Sequence, residues 1–213
     1  MVLIPTSNVS AATTVTVKYN QTDARKMAAK INEFRTGPDS EKWCWDEYDG
    51  RKIYVKNLAP LQYDANLEKI AMVRAAEMAK DCNDPNFFVH HNSFGVYSDY
   101  LGESRLMVGG PVDLGSIFTV FKESNMPYRA QYTRRCMLSP QINAVGIGVA
   151  EINGEAYWVI EFAQLAKITP AGTAQNTTQT VSVPYNDRVP FTYTGVKNLS
   201  GILTYIRNGK VQV

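Results

Sequence analysis

Residues 22–34 place Met27, Ala28, Ile31 and Phe34 at helical spacing, with Thr22 or Asp23 available as a cap and Gly37-Pro38 as a stop. A second helix is predicted over 64–80. Asp64 suits its N-cap, and Leu67, Ile70, Ala71, Arg74, Ala75, Met78 and Ala79 fall close to one stripe. The alanines in that stripe let another element pack tightly against it. Residues 111–124, apolar at Val112, Ile117, Phe118, Val120 and Phe121, read as a third helix, and 129–137 as a short fourth. The period then changes. Residues 144–152 and 155–164 are apolar runs joined by Asn153-Gly154, a strong hairpin signal, and Gly146 and Gly148 mark a strand that something presses against closely. A shorter strand, 52–55, follows an aromatic-rich connection, 43–50, that ends in an Asp-Gly turn. Helices before and strands after indicate an α+β fold, or a three-layer α-β-α sandwich with helices on both sides of the sheet.

One stretch resists this patterning. Residues 87–103 read F-F-V-H-H-N-S-F-G-V-Y-S-D-Y-L-G-E and contain both histidines of the chain. Phe87, Phe88 and Val89 form an apolar anchor, the chain turns polar at His90-His91-Asn92-Ser93, and the stretch closes on Glu103. An anchor that delivers imidazole, hydroxyl and carboxylate to one place is how a cleft is built. Taken alone, the same residues also describe a surface turn with incidental histidines. Farther along, 169–180 is small and polar and reads as a linker, and 181–213 alternates as β structure too short for an independent core.

The chain has 213 residues, enough for one sizeable domain with an appendage. Its net charge of +2 and lack of a basic stripe argue against a nucleic-acid partner. No apolar run reaches the roughly 20 residues of a membrane helix. Residues 1–14 read either as the tail of a secretory signal or as a plain disordered terminus. Cys44, Cys82 and Cys136 permit at most one internal disulfide and fit no zinc spacing. Because Cys82 and Cys136 flank the elements of the supposed cleft, Cys82–Cys136 is the pairing expected, with Cys44 left free.

The order of motifs over residues 23–164 resembles the CAP superfamily (cysteine-rich secretory proteins, antigen 5 and pathogenesis-related proteins), and within it the bacterial SCP-like branch. Asn32-Glu33-Phe34-Arg35 is similar to the family's N-x-x-R helix, and Leu61-Gln62-Tyr63-Asp64 with Leu67, Ala71 and Ala75 to its L-x-W-D pattern. His90–Gly95 is similar to H-x-x-P-D-G, with Ser93 and Phe94 replacing proline and aspartate. Gly102-Glu103-Ser104 stands for G-E-N, Val120–Glu123 for W-Y-x-E, and Val145–Val149 with Tyr157–Phe162 for the paired strands. The resemblance implies an α-β-α sandwich, usually in a secreted, extracellular protein, with residues 22–168 as the domain. The linker and the short C-terminal β extension lie outside it.

The resemblance also implies a cleft lined by two histidines and two glutamates. Carried over, these are His90, Glu103 and Glu123, while the second histidine's place, in a segment like G-H-x-x-Q, is taken by Tyr128, followed by Gln131. A phenol is a poor zinc ligand near neutral pH, so no metal or other cofactor is expected, and His90, Glu103 and Glu123 are only weak candidates for a divalent ion such as zinc. His91 does not replace the missing imidazole, because neighbours in extended backbone point to opposite sides. Two function classes follow: a binding module whose cleft, with His90, Ser93, Glu103, Glu123, Tyr128 and Gln131, takes a peptide, glycan or lipid, or a hydrolase in which His90 and the carboxylates do acid–base work, with a metal-bound water or the Ser93 hydroxyl. Binding is favoured, because Tyr128 removes a side chain that a metal mechanism needs.

Overall fold

The structure, a computed structural model, describes residues 13–46, 50–83, 102–127 and 131–183. Strand β1 (Thr13–Tyr19) leads into helix α1 (Gln21–Thr36), followed by the ribbon β2 (Trp43–Trp45) and β3 (Lys52–Tyr54). β4 (Gln62–Tyr63) runs directly into α2 (Ala65–Cys82). Then come β5 (Gly102–Gly109), α3 (Leu114–Lys122), α4 (Tyr132–Leu138), the hairpin β6 (Ala144–Ile152) and β7 (Glu155–Ala163), and β8 (Thr177–Val183). His90, His91, Ser93, Tyr128 and the anchor Phe87–Val89 lie outside the described residues, as does the β extension beyond Val183.

The main sheet runs β5-β7-β6-β1-β8, with β4 parallel to the start of β6. Its centre is the predicted hairpin. Asn153 and Gly154 both take positive φ, 54° and 81°, as a two-residue turn matched to the strand twist requires. Strand alternation then sorts the side chains into layers. Val145, Ile147 and Val149 of β6 and Trp158, Ile160 and Phe162 of β7 are buried with Ile31 and Phe34 of α1, Ile117 and Phe121 of α3 and Met137 of α4. On the other face, Ala150, Tyr157 and Val159 pack with Val17 and Tyr19 and with Ala71, Ala75 and Ala79 of α2. The result is an α+β protein built as an α-β-α sandwich.

The glycines of β6 allow the second of these packings. A Cβ built on Gly146 would stand 2.3 Å from the Glu68 backbone nitrogen, and one on Gly148 2.2 Å from the Ala71 carbonyl carbon. The close approach expected there is therefore made by the α2 backbone, and it sets the depth at which α2 lies on the sheet. Three buried arginines tie the elements together. The Arg35 guanidinium donates to the carbonyls of Ala59 (2.5 Å), Met137 (2.6 Å), Ser139 (2.8 Å) and Ile142 (3.0 Å), while Asn32 exchanges two bonds with Leu61. The N-x-x-R helix motif is thus a structural clamp.

Several sequence expectations are corrected. Helix α1 starts earlier than predicted because Asn20, not Thr22 or Asp23, caps it, its Oδ1 accepting from the Asp23 N–H at 3.1 Å. Residues 13 and 14, the end of the segment read as a signal tail or disordered terminus, begin β1, which runs to Tyr19. Residues 102–109 form β5, a strand that the charged Glu103 and Arg105 hide from an apolar pattern. The 169–180 linker is held along its length. Ala65 N–H donates to the Thr169 carbonyl at 2.9 Å, Thr169 N–H to Asp64 Oδ2 at 2.7 Å, and Thr22 N–H to Asn176 Oδ1 at 3.0 Å, and β8 begins at Thr177. The Cys82–Cys136 disulfide is not formed: all three cysteines are free. Cys82 packs with the α2 layer and Cys136 is buried in the α1–α3–α4 layer, so the sheet separates them.

Candidate functional site

Pairing of β5 with β7 sets Glu103 directly opposite Glu161, on the face that α2 covers. Within the second helix's largely apolar stripe, Arg74 turns its guanidinium onto this point. Its Nε donates to Glu103 Oε2 at 2.7 Å, its Nη2 to Glu103 Oε1 at 2.9 Å, and its Nη1 to Glu77 Oε2 at 2.5 Å. Arg105, two residues along β5 and so on the same face, brings its Nε to 3.2 Å from Glu103 Oε1. The Arg74 and Glu103 side chains are 1% and 2% exposed, so this two-pronged, charge-assisted pair is dry. Glu161 is fully buried, and neither of its carboxyl oxygens has a hydrogen-bond partner. Burial, and after it the Glu103 charge, hold Glu161 well above the usual carboxylate range. The adjacent Ser104 hydroxyl is also buried without a partner.

Glu123 sits in a different setting. It caps the C-terminus of α3 in the left-handed conformation, φ 50°, where glycine is the usual occupant. Its Oε2 accepts the Arg134 backbone N–H at 3.1 Å, and burial raises its carboxyl above the ordinary value. Gln131 is fully buried. Its Nε2 donates to the Glu123 carbonyl at 3.2 Å and its Oε1 accepts the Trp45 N–H at 2.9 Å, which fixes the end of α3 to the β2–β3 ribbon. Arg134 completes the junction by donating to the Trp43 carbonyl at 2.6 Å and the Glu41 carbonyl at 2.5 Å, with its guanidinium 4.6 Å from the Trp43 ring centre.

Of the six residues expected in a cleft, the described structure therefore places Glu103 under α2, and Glu123 and Gln131 at the α3–α4 junction. Sequence reasoning missed Arg74, Glu77, Arg105 and Glu161 as members of the charged cluster. The available signals were a charged residue inside an alanine stripe and a glutamate inside the apolar run Y-W-V-I-E-F-A. As a donor to a metal, Glu103 fits poorly: both of its oxygens are taken by guanidinium groups, which a divalent ion would have to displace. A separate cavity of about 540 Å³ opens at the other end of β7, lined by Lys18, Glu151, Val108, Leu114 and Trp158 among others, and neither Glu103, Glu123 nor Gln131 borders it.

Residues 28–162 match the model of the CAP family, the cysteine-rich secretory protein family. Among solved structures, the chain is similar to NaASP2 with zinc (17% identity, 69% of this chain and 82% of that one, TM-score 0.43). It is also similar to an outer surface protein from Borrelia burgdorferi (15% identity, 71% and 96%, TM-score 0.44). A third is a cysteine-rich secretory protein from Staphylococcus aureus (13% identity, 67% and 38%, TM-score 0.36). No match was found among curated protein sequences. No helix among the described residues is long and apolar enough to cross a membrane. With a family match that covers well over half of its 213 residues, the chain belongs to the CAP, or cysteine-rich secretory protein, family.

Proposed function

We propose that this protein is a secreted binding module of the bacterial SCP-like branch, whose cleft around His90, Ser93, Glu103, Glu123, Tyr128 and Gln131 takes a peptide, glycan or lipid without turning it over. The H-x-x-x-x-G run at His90–Gly95 supports the branch, and the extracellular habit of the family supports secretion. One observation carries the preference for binding: both Glu103 oxygens are engaged by Arg74, and one of them also by Arg105, so this carboxylate is a fixed structural charge rather than a free base or metal ligand. The hydrolase reading draws on Glu123, whose carboxyl is raised by burial as a general acid's is.

Zinc titration separates the two. By isothermal calorimetry on metal-stripped protein, the wild type binds zinc weakly or not at all. Tyr128→His raises the affinity by supplying a second imidazole, with a gain of at least about tenfold expected from adding one good nitrogen ligand. Tight stoichiometric binding by the wild type, abolished in His90→Ala, would put the hydrolase first.

A further inference from the structure

The cavity at the hairpin end of β7 lies apart from Glu103, Glu123 and Gln131. It holds about 540 Å³, within the roughly 300–1,000 Å³ of small-molecule sites. The first turns of α1 and α3 and the ends of β6 and β7 border it, and its two sides differ in character. One side is apolar, with Val108 of β5, Leu114 and Ile117 of α3, Val149 of β6 and Trp158 of β7. The other is a chain of polar side chains at the start of α1. Lys18 Nζ donates to Glu151 Oε2 at 2.7 Å, and Asn20 Nδ2 donates to Glu151 Oε1 at 2.7 Å and to Asp23 Oδ2 at 3.1 Å. Lys26 Nζ, just outside the lining, donates to Asp23 Oδ1 at 2.9 Å. Glu155 also borders the cavity, but its carboxylate accepts from the Tyr157 hydroxyl, and Tyr157 packs on the α2 face of the sheet.

Among the described residues, each carboxylate of this polar wall is matched by an ammonium, Glu151 by Lys18 and Asp23 by Lys26, so the wall is neutral. Its bonding capacity is not used up. An ammonium has three N–H donors, of which Lys18 gives one to Glu151, and each carboxylate oxygen of Glu151 has room for a second donor. A donor and an acceptor thus stand 2.7 Å apart, close to the spacing of neighbouring hydroxyl oxygens on a sugar ring. A hydroxyl both gives and takes a hydrogen bond, so two adjacent hydroxyls answer this wall, one accepting from Lys18 and the other donating to Glu151. A charged ligand would meet one matching and one opposing charge. The facing apolar side suits the C–H face of the same ring. We propose that this cavity is a second binding site, for a neutral saccharide built of pyranose rings, with its hydroxyl edge on Lys18 and Glu151 and its C–H face on Val108, Leu114 and Ile117. The site is independent of what the cleft takes.

The test is an NMR titration of the methyl-labelled full chain with maltose, cellobiose, lactose and chitobiose. At least one of these sugars should shift the methyl signals of Val108, Leu114 and Ile117, with a dissociation constant in the millimolar range, the strength of a few hydrogen bonds that replace bonds to water. The Lys18 side chain is 53% exposed, so Lys18→Met removes the donor without disturbing the core, and it should weaken binding at least about tenfold. The wild-type titration stands by itself if that variant misfolds. Shifts confined to methyl groups of the α3–α4 junction, where Glu123 and Gln131 lie, would place the sugar in the cleft, supporting the cleft reading and overturning this one. Three further results overturn it: no shift with any of the four sugars at up to about 50 mM, unchanged affinity in Lys18→Met, or the same shifts produced at lower concentration by decanoate or decylammonium.

Discussion

Single residues in this protein decide more through buried polar contacts than through apolar ones. Arg35, Arg74 and Arg134 are each at most 2% exposed, yet they play two different parts. Arg74 neutralises carboxylates, while Arg35 meets only carbonyl oxygens, so its charge is spread over four peptide dipoles and burial alone lowers its pKa to about 10. It stays a cation at physiological pH, and the four carbonyls depend on it. Replacing Arg35 with leucine keeps much of the volume but strands those acceptors away from water, at about 1–3 kcal/mol each where water cannot follow. Urea denaturation of Arg35→Leu should show a loss of at least about 3 kcal/mol, and Arg35→Lys an intermediate one, since an ammonium cannot reach all four carbonyls in one plane. A loss below about 1 kcal/mol would mean that the carbonyls find other partners.

At the scale of elements, the contact that defines the fold is α2 lying on β6. Gly148→Ala places a methyl group into the Ala71 backbone, which cannot move aside as a flexible side chain would. Denaturant titration should find it destabilised by more than about 3 kcal/mol, with Gly50→Ala, in an open turn, losing about 1 kcal/mol through backbone strain alone. A milder effect at Gly148 would require α2 to lift bodily from the sheet. Elements of this kind were legible in the sequence. The α2 stripe, its Asp64 cap, the Asn153-Gly154 hairpin and the glycines that admit the helix all announce themselves through local pattern. What escaped were elements defined by distant partners. β5 carries a buried charge, Glu103, that makes sense only with Arg74 29 residues away, and β1 and the first residues of β8, 177–180, are threonine-rich with weak alternation and become strands by pairing with each other. The candidate site divided along the same line: Glu103 and Glu123 were found through motifs, while the arginines and Glu161, which set their chemistry, required the register of β5 on β7.

For the molecule as a whole, the sheet's far side is built from the two ends of the described chain. β1 meets β6 only at Lys18↔Glu151 and Tyr19↔Ala150, but meets β8 along its whole length, from Thr13↔Val183 to Tyr19↔Thr177. Val181 adds apolar cover to the layer under α2, and Thr169 N–H satisfies the second oxygen of the Asp64 cap. The composition of 169–180 predicts a connection that can be cut without consequence; the pairing predicts the opposite. Deleting residues 170–213 removes every β8 bond, leaves β1 anchored at two positions, and opens a threonine-rich edge to other molecules. Compared with a chain ending at Val183, which isolates the part played by 170–183, the shorter protein should melt at least about 5 °C lower and self-associate on size-exclusion chromatography. Equal melting temperatures would show that β1 and β8 form an ornament on a sheet complete without them, and the four remaining strands, β4 to β7, would then suffice to carry α2 and the Glu103 cluster.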